Sequence, residues 1–289
     1  MCIRDSYFTH LAWVSRFLGP IPWVALAGLE ALLFGAGGVL IALAYRATTR
    51  TGYGYRAITP LLVAGVWVLR ETLMGSTPYT GFPWARVGFS LAESPLAEAA
   101  SWVGTTGLSF LTVLVCASVV EALILRRWEP AAAAAVIVVA AIAVPLFPTE
   151  QAGMLRVGWV QGNGPSGYFD TKTTGDILRA QEEATAPLLD REMDLLVWPE
   201  GAVDADPLRD VAVAGRLDRL VQGAGAPALV NAATTRGADT FNTSMLWTSA
   251  GPQQLHDKAN PVPFGEYVPD RWFLSLIHIS EPTRLLSIS

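Results

Sequence analysis

The chain has 289 residues, of which 52% are hydrophobic and 16% charged, with a net charge of -5 and a mean hydropathy of +0.37. A soluble domain carries about 25% charged residues, so the deficit points to lipid as part of the solvent, while the mild acidic balance and the lack of any basic block argue against nucleic acid as a partner. Cys2 and Cys116 make neither a disulfide framework nor a metal cluster, and His10, His256 and His278 lack ligand spacing. No metal and no cofactor is expected.

The length suits two domains, and composition divides the chain near Met154. The expected layout is an α-helical transmembrane bundle over 7–148 and an α/β domain over 154–273. The ends fit neither neighbour. MCIRDS (1–6) and LSLIHISEPTRLLSIS (274–289) resemble the translation of a sequencing adapter and are set aside from fold reasoning as a fusion scar would be; genuine terminal loops are the alternative. On this reading the chain is truncated, and the natural protein starts earlier and continues beyond Phe273.

In chain order, Tyr7–Leu18 reads as the end of an earlier helix, and four apolar stretches follow: Pro22–Tyr45, Ala57–Met74, Gly107–Leu125 and Ala131–Phe147. Each approaches the roughly 20 residues that span a bilayer core. Arg46, Arg50 and Arg56 follow the first stretch, and Arg126 and Arg127 follow the third. The positive-inside rule turns both joints toward the cytoplasm, so the second half of the chain emerges on the outer side. Glu30, inside the first stretch, is either functional or a protonated carboxyl bonded within the bundle. Glu121 is expected to snorkel near Arg126, and Cys116 to act as a small packing residue. The outward joint carries TGFPWARVGFS (80–90). Its Phe82 and Trp84 suit either an interfacial anchor or a lipid entry path.

Beyond Pro148, LRVGWVQGN predicts a buried strand and Thr174–Arg191 a helix. MDLLVWPEG predicts a second strand ending at Glu200, and Leu208–Gln222 a second helix. APALVNAATT and Phe241–Ser249 predict two more strands. The alternation is that of an α/β layered domain. Glu200 stands at a strand end beside Trp198 and Pro199; walls of that kind would desolvate the carboxylate and raise its pKa toward that of a general base. Lys258 follows the fourth predicted strand and could stabilise an oxyanion by charge. Pro263 and Gly265 would aim Glu266.

VGWVQGN, LLVWPEG, FNTSMLW and DKANPVPFGEYVP, together with WVLRETLMGSTPYTGFPWARVGFS, resemble the apolipoprotein N-acyltransferase branch of the carbon-nitrogen hydrolase (nitrilase) superfamily. The likeness runs over nearly all of residues 7–273. It implies a nitrilase-like αββα sandwich, here incomplete, and a Glu-Lys-Cys triad. In that scheme Glu200 is the base, Lys258 the lysine, Glu266 a supporting carboxylate and Asn242 a neighbour of the centre. The nucleophilic cysteine of the family lies several tens of residues beyond the lysine, where this chain has none. After VQGN the family carries a Lys-Trp pair where this chain has GYFD, so Tyr168 or Phe169 is the candidate for the aromatic role.

The resemblance implies acyl transfer from a phospholipid to the N-terminal amine of a diacylglyceryl-cysteine apolipoprotein through a cysteine thioester. It places a multi-pass monomer in a bacterial inner membrane with its catalytic domain outside; the fragment itself is expected to be inactive. A membrane-anchored amidase for a small amide, and a non-catalytic membrane scaffold, are the alternatives.

Overall fold

The computed structural model describes residues 3–50, 56–79, 81–167, 170, 171, 173–263, 266 and 267. The chain divides into two compact units, Met1–Ala12 with Trp23–Glu150 and Trp13–Pro22 with Gln151–Ser289. One is helical and the other is α/β. The expectations placed on 274–289, Tyr168 and Phe169 lie outside the described residues.

Helices run α1 (Ile3–His10), α2 (Ala12–Phe17), α3 (Pro20–Arg50), α4 (Thr59–Met74), α5 (Ala100–Leu125) and α6 (Glu129–Ala143). Among the described residues two helical segments are long and apolar enough to cross a membrane: Pro20–Arg50, with mean hydropathy 2.0, and Ala97–Leu125, with 2.4. The other two stretches expected to span form shorter helices, α4 and α6. At 16 and 15 residues and about 1.5 Å of rise per residue, α4 and α6 fall short of a hydrocarbon core of about 30 Å. Proline sets both limits. Pro60 stands in the first turn of α4, where its missing N–H costs nothing. Pro145 forces Val144 into an extended conformation (φ -61°, ψ 124°), which stops α6 before the expected Phe147. Gly104 (φ 67°) breaks the start of α5.

Three further expectations for this unit change. Buried Glu121 pairs with Arg56 at 2.9 Å rather than snorkelling beside Arg126, because its turn of α5 faces inward. Cys116 is exposed on the outside of its helix, not packed within the unit. Glu30 is buried, yet its Oε2 has no hydrogen-bond partner, so the bonded carboxyl expected there is at most half satisfied.

The second unit is a five-stranded sheet in the order β1 (Val157–Trp159), β2 (Leu195–Val197), β3 (Ala228–Arg236), β4 (Asp239–Thr248), β5 (Gly251–Asp257). The first three strands are parallel and the last two antiparallel. The crossover helices are α7 (Asp176–Thr185), followed by a 3₁₀ turn at Ala186–Leu188, and α8 (Val211–Ala224). Pro187 accounts for the helix stopping short of the expected Arg191. Asp210 caps α8 by accepting from the Ala212 and Val213 amides, and Gly225 (φ 62°) ends it.

Register explains the two faces of the sheet. Gly158, Leu196, Ala228 and Trp247 form one cross-strand row. Leu196, Ala228 and Trp247 share a core with Leu178 of α7 and Leu217 and Val221 of α8. The adjacent row, Trp159, Val197, Leu229 and Leu246, projects to the other face, where Trp159 is 76% exposed. The first strand is thus an edge with Val157 and Trp159 outward, not the buried strand expected; only Gly158 turns toward the core side, near Met193 and Leu188. The fifth strand went unpredicted because GPQQLHD lacks apolar alternation, so Lys258 follows β5 rather than the fourth strand.

Buried Asp204 accepts the amides of Gly175, Ile177 and Leu178 at 2.7, 3.2 and 3.4 Å, closing the start of α7. Replacing Asp204 with Ala strands these donors and should cost about 1–3 kcal/mol. Thermal unfolding followed by circular dichroism reads that loss, and faster amide exchange at Ile177 and Leu178 locates it.

Candidate active site

The outward sheet face carries the site. Asn231, Ser244 and His256 lie side by side on β3, β4 and β5, and Asn242 faces Ala233. All point away from the helices, because each is separated by an even number of residues from the outward row or its register partner. Glu200 arrives from the turn after β2. Trp198 anchors that turn by donating its backbone N–H to Leu229 O and its ring N–H to Thr185 Oγ1 at 3.0 Å. Gly201 (φ 67°) then reverses the chain, and its N–H donates to Asn231 Oδ1 at 2.8 Å. Lys258 leaves the end of β5 with its N–H bonded to Asn242 O at 2.8 Å. Glu266 is turned back by two contacts with Val262: Glu266 N donates to Val262 O, and Val262 N donates to Glu266 Oε2.

Three chain segments therefore converge. Lys258 Nζ donates to Glu200 Oε1 at 2.8 Å and to Glu266 Oε1 at 3.3 Å. Asn242 Nδ2 donates to Glu200 Oε1 at 2.6 Å and to Glu266 Oε1 at 2.5 Å. Asn231 Nδ2 donates to Asn242 Oδ1 at 2.7 Å, fixing which end of that amide faces the carboxylates. Glu200, Asn231, Asn242 and Lys258 border a solvent-open cleft of about 470 Å³, lined also by Leu229, Ser244 and His256. All four residues anticipated for the centre, Glu200, Lys258, Glu266 and Asn242, are brought together. Phe82 and Trp84 stack on one another in the helical unit, with centroids 5.8 Å apart.

One expectation fails. The Glu200 side chain is 60% exposed, against 13% for Glu266, so the desolvating wall foreseen around Glu200 is absent. Trp198, the wall's main candidate, points into the helix-side core. Both hydrogen bonds to Glu200 fall on Oε1, leaving Oε2 without a protein partner among the described residues. Sequence reading also missed Asn231. A polar side chain within the apolar run ALVNAA was the available signal, since a buried amide requires partners.

Hydrogen bonds and charge set the protonation of Lys258 and Glu266. Burial works to lower the pKa of Lys258, but hydrogen bonds to Glu200 and Glu266 outweigh it and hold the ammonium above its ordinary value. Burial works to raise Glu266, but the Asn242 amide, the Val262 N–H and Lys258 together hold its carboxyl below the usual range. A depressed carboxylate contributes stability above its unfolded pKa, about 4.3 for Glu, and loses it as pH falls through the folded value. The melting temperature of the parent should exceed that of Glu266→Gln at pH 6, and the gap should close as pH drops below about 4.3. A gap that persists unchanged at pH 2 would show that Glu266 is not held ionised.

Residues 6–118 match the family model described as the apolipoprotein N-acyltransferase N-terminal domain. Similar curated proteins carry the name apolipoprotein N-acyltransferase. That of Bradyrhizobium diazoefficiens is 28% identical over 95% of this chain and 53% of its own length. That of Mycolicibacterium smegmatis is 28% identical over 95% of this chain and 50% of its own, and that of Haemophilus ducreyi 25% identical over 92% and 57%. The chain spans about half the length of the curated relatives it matches. Residues 6–118 are thus similar to the apolipoprotein N-acyltransferase N-terminal domain, and the chain as a whole is similar to about half the length of proteins that carry that name.

Proposed function

We propose that this chain carries the acid–base and oxyanion-binding half of a phospholipid-to-apolipoprotein N-acyltransferase site. The observation that carries the reading is the single amine, Lys258, bonded to two carboxylates, Glu200 and Glu266, on an open sheet face. In this scheme Glu200 takes the proton of a cysteine thiol, and the thiolate attacks the phospholipid ester carbonyl. Lys258 Nζ faces the oxygen that becomes negative. Collapse expels the lysophospholipid alkoxide, which recovers the proton from Glu200 and leaves a thioester. The lipoprotein amine then attacks, gives a proton to Glu200 and expels the thiolate. Asn242 and Glu266 keep the Lys258 ammonium in place and touch no substrate.

The thiol is not among this chain's active-site residues; its two cysteines are Cys2 and Cys116. Labelled phospholipid should therefore leave the purified chain unacylated, and a hydroxylamine-labile label on it would mean another nucleophile acts. The roles of Glu200 and Lys258 are tested by grafting residues 155–260 into a curated relative. Glu200→Gln and Lys258→Met should each lower lipoprotein acylation by about 10²–10⁴-fold, while Asp206→Asn leaves it near the chimera's value. Wild-type rates for either site variant would end the assignment.

The finer architecture is part of the same proposal. The domain is a nitrilase-like αββα sandwich, supported by one helix layer on one sheet face and by the apolar row on the other. The helical unit is multi-pass, with α4 and α6 crossing beside α5, on which both pack. Arg46, Arg50, Arg56, Arg126 and Arg127 support a cytoplasmic side, and the α/β unit then lies on the outer side of a bacterial inner membrane. The protein acts as a monomer on lipid and lipoprotein, and Phe82 and Trp84 line the lipid's approach. Alkaline phosphatase fused after Met154 should be active, and fused after Arg127 inactive; the reverse pattern would sink the orientation.

A further inference from the structure

The helical unit contains a buried carboxylate that the mechanism leaves unused. Glu71, in the last turn of α4, is 5% exposed. An acid in an apolar helix is costly and calls for a partner. Glu71 Oε1 accepts the Trp67 ring N–H at 2.7 Å and the backbone N–H of Val87 at 3.0 Å. Arg70 lies alongside, its guanidinium 4.4 Å from the Trp67 ring centre and 4.7 Å from that of Phe34, donating to Tyr7 Oη at 3.1 Å. Arg70 Nη2 approaches Glu71 Oε1 only to 3.8 Å, so the hydrogen bonds dominate at that oxygen.

Val87 belongs to the joint between α4 and α5. The next amide, Gly88 N, donates to buried Ser109 Oγ on α5 at 2.9 Å. A Cβ on Gly88 would come within 2.5 Å of Thr105 O, so the backbone there lies directly on α5. Phe82 N donates to Met74 O at 2.7 Å. A joint of this kind is ordinarily the mobile part of a helix pair. Here consecutive amides are held by side chains of two different helices. Two of the side chains left outward are aromatic: Trp84 is 50% and Phe89 54% exposed.

We propose that Glu71 is a positioning residue: by accepting the Val87 amide it holds 81–91 as a preformed aromatic platform for phospholipid acyl chains. This rests on the reading of Phe82 and Trp84 as lining the lipid's approach. The acceptor oxygen, not the charge, does the holding, so Gln should replace Glu where Ala cannot.

The test uses the full chain in nanodiscs of phosphatidylcholine brominated near the ester end of its acyl chains. The Trp84 emission is obtained as the difference between the parent and Trp84→Phe, each in the same Glu71 or Val87 background. Glu71→Ala should reduce bromine quenching of Trp84 at least about twofold and speed Gly88 amide exchange about tenfold, the loss expected for one hydrogen bond. Glu71→Gln should keep both near the parent's values. Should Glu71→Ala fail to fold, Val87→Pro removes the donor from the loop side, at the first position of a 3₁₀ turn that follows extended Arg86, a place proline tolerates. Unchanged quenching and exchange in Glu71→Ala or Val87→Pro overturns the role of Glu71. Absence of quenching in the parent overturns the lipid reading beneath it, whatever the exchange rates show.

Discussion

Two carboxylates that share a cleft repel one another unless a cation and donors stand between them, and in this protein Lys258 and Asn242 each bond to both. The local charge is one ammonium against two acids. The remaining excess is met by neutral donors, the Asn242 amide and the Val262 N–H. This arrangement holds only if β3 and β4 keep their register, because Asn242 reaches the acids while its Oδ1 receives Asn231 Nδ2 from the neighbouring strand. A one-residue slip would turn Asn242 to the helix side. The covered row, with Ala228 against Trp247, resists such a slip, since it would expose Trp247 and bury Leu246 in its place. The helix-side core thus sets the geometry of the opposite face.

Much of the site was legible in the sequence for the same reason. WPEG marks a strand end by its proline and glycine, and PVPFGEYVP stiffens the backbone around a lone acid, so Glu200 and Glu266 announce themselves without coordinates. Asn231 did not, since its strand reads as apolar and its role depends on a partner eleven residues away. The fifth strand was invisible because GPQQLHD has one aliphatic side chain; it is held by its ladder along β4 and by Asp257, which accepts from Thr243 at 2.8 Å. Glu200's exposure was misjudged from its neighbours in sequence. Trp198 and Glu200 are two residues apart, but Gly201's positive φ and the turn at Pro199 break strand alternation there, so the tryptophan enters the core and the acid does not.

The helical unit shows the converse limit. Hydropathy finds apolar stretches but not where proline limits a helix, and α4 and α6 are shorter than the stretches expected over 57–74 and 131–147. Its ionisable residues follow one logic once partners are known. Glu121 faces Arg56 across sixty-five residues of sequence, and Glu71 faces a loop amide. The Arg56 and Val87 pairings are not local and could not be read from i+4 spacing, although Trp67, four residues before Glu71, also donates to it; Arg126, five residues from Glu121, was the tempting choice. Buried polar groups take the donors that lie near them in space, and for both acids one such donor comes from another segment.

The exposure of Glu200 changes what must activate a nucleophile. A carboxylate that is 60% exposed stands open to water on one side and bonds Lys258 Nζ at 2.8 Å on the other. A base of that kind removes a thiol proton efficiently only if the thiolate is itself stabilised, and Lys258 is the group placed to do so before it meets the oxyanion. In the proposed scheme the lysine then serves both ends of the acylation step, while Glu200 supplies position and a proton relay. The apolar row of Trp159, Val197, Leu229 and Leu246 runs along the same face. A second layer packed on that row would strip water from the cleft and strengthen every charge in it. On the sandwich proposed above, closing the domain and tuning the base are then a single event.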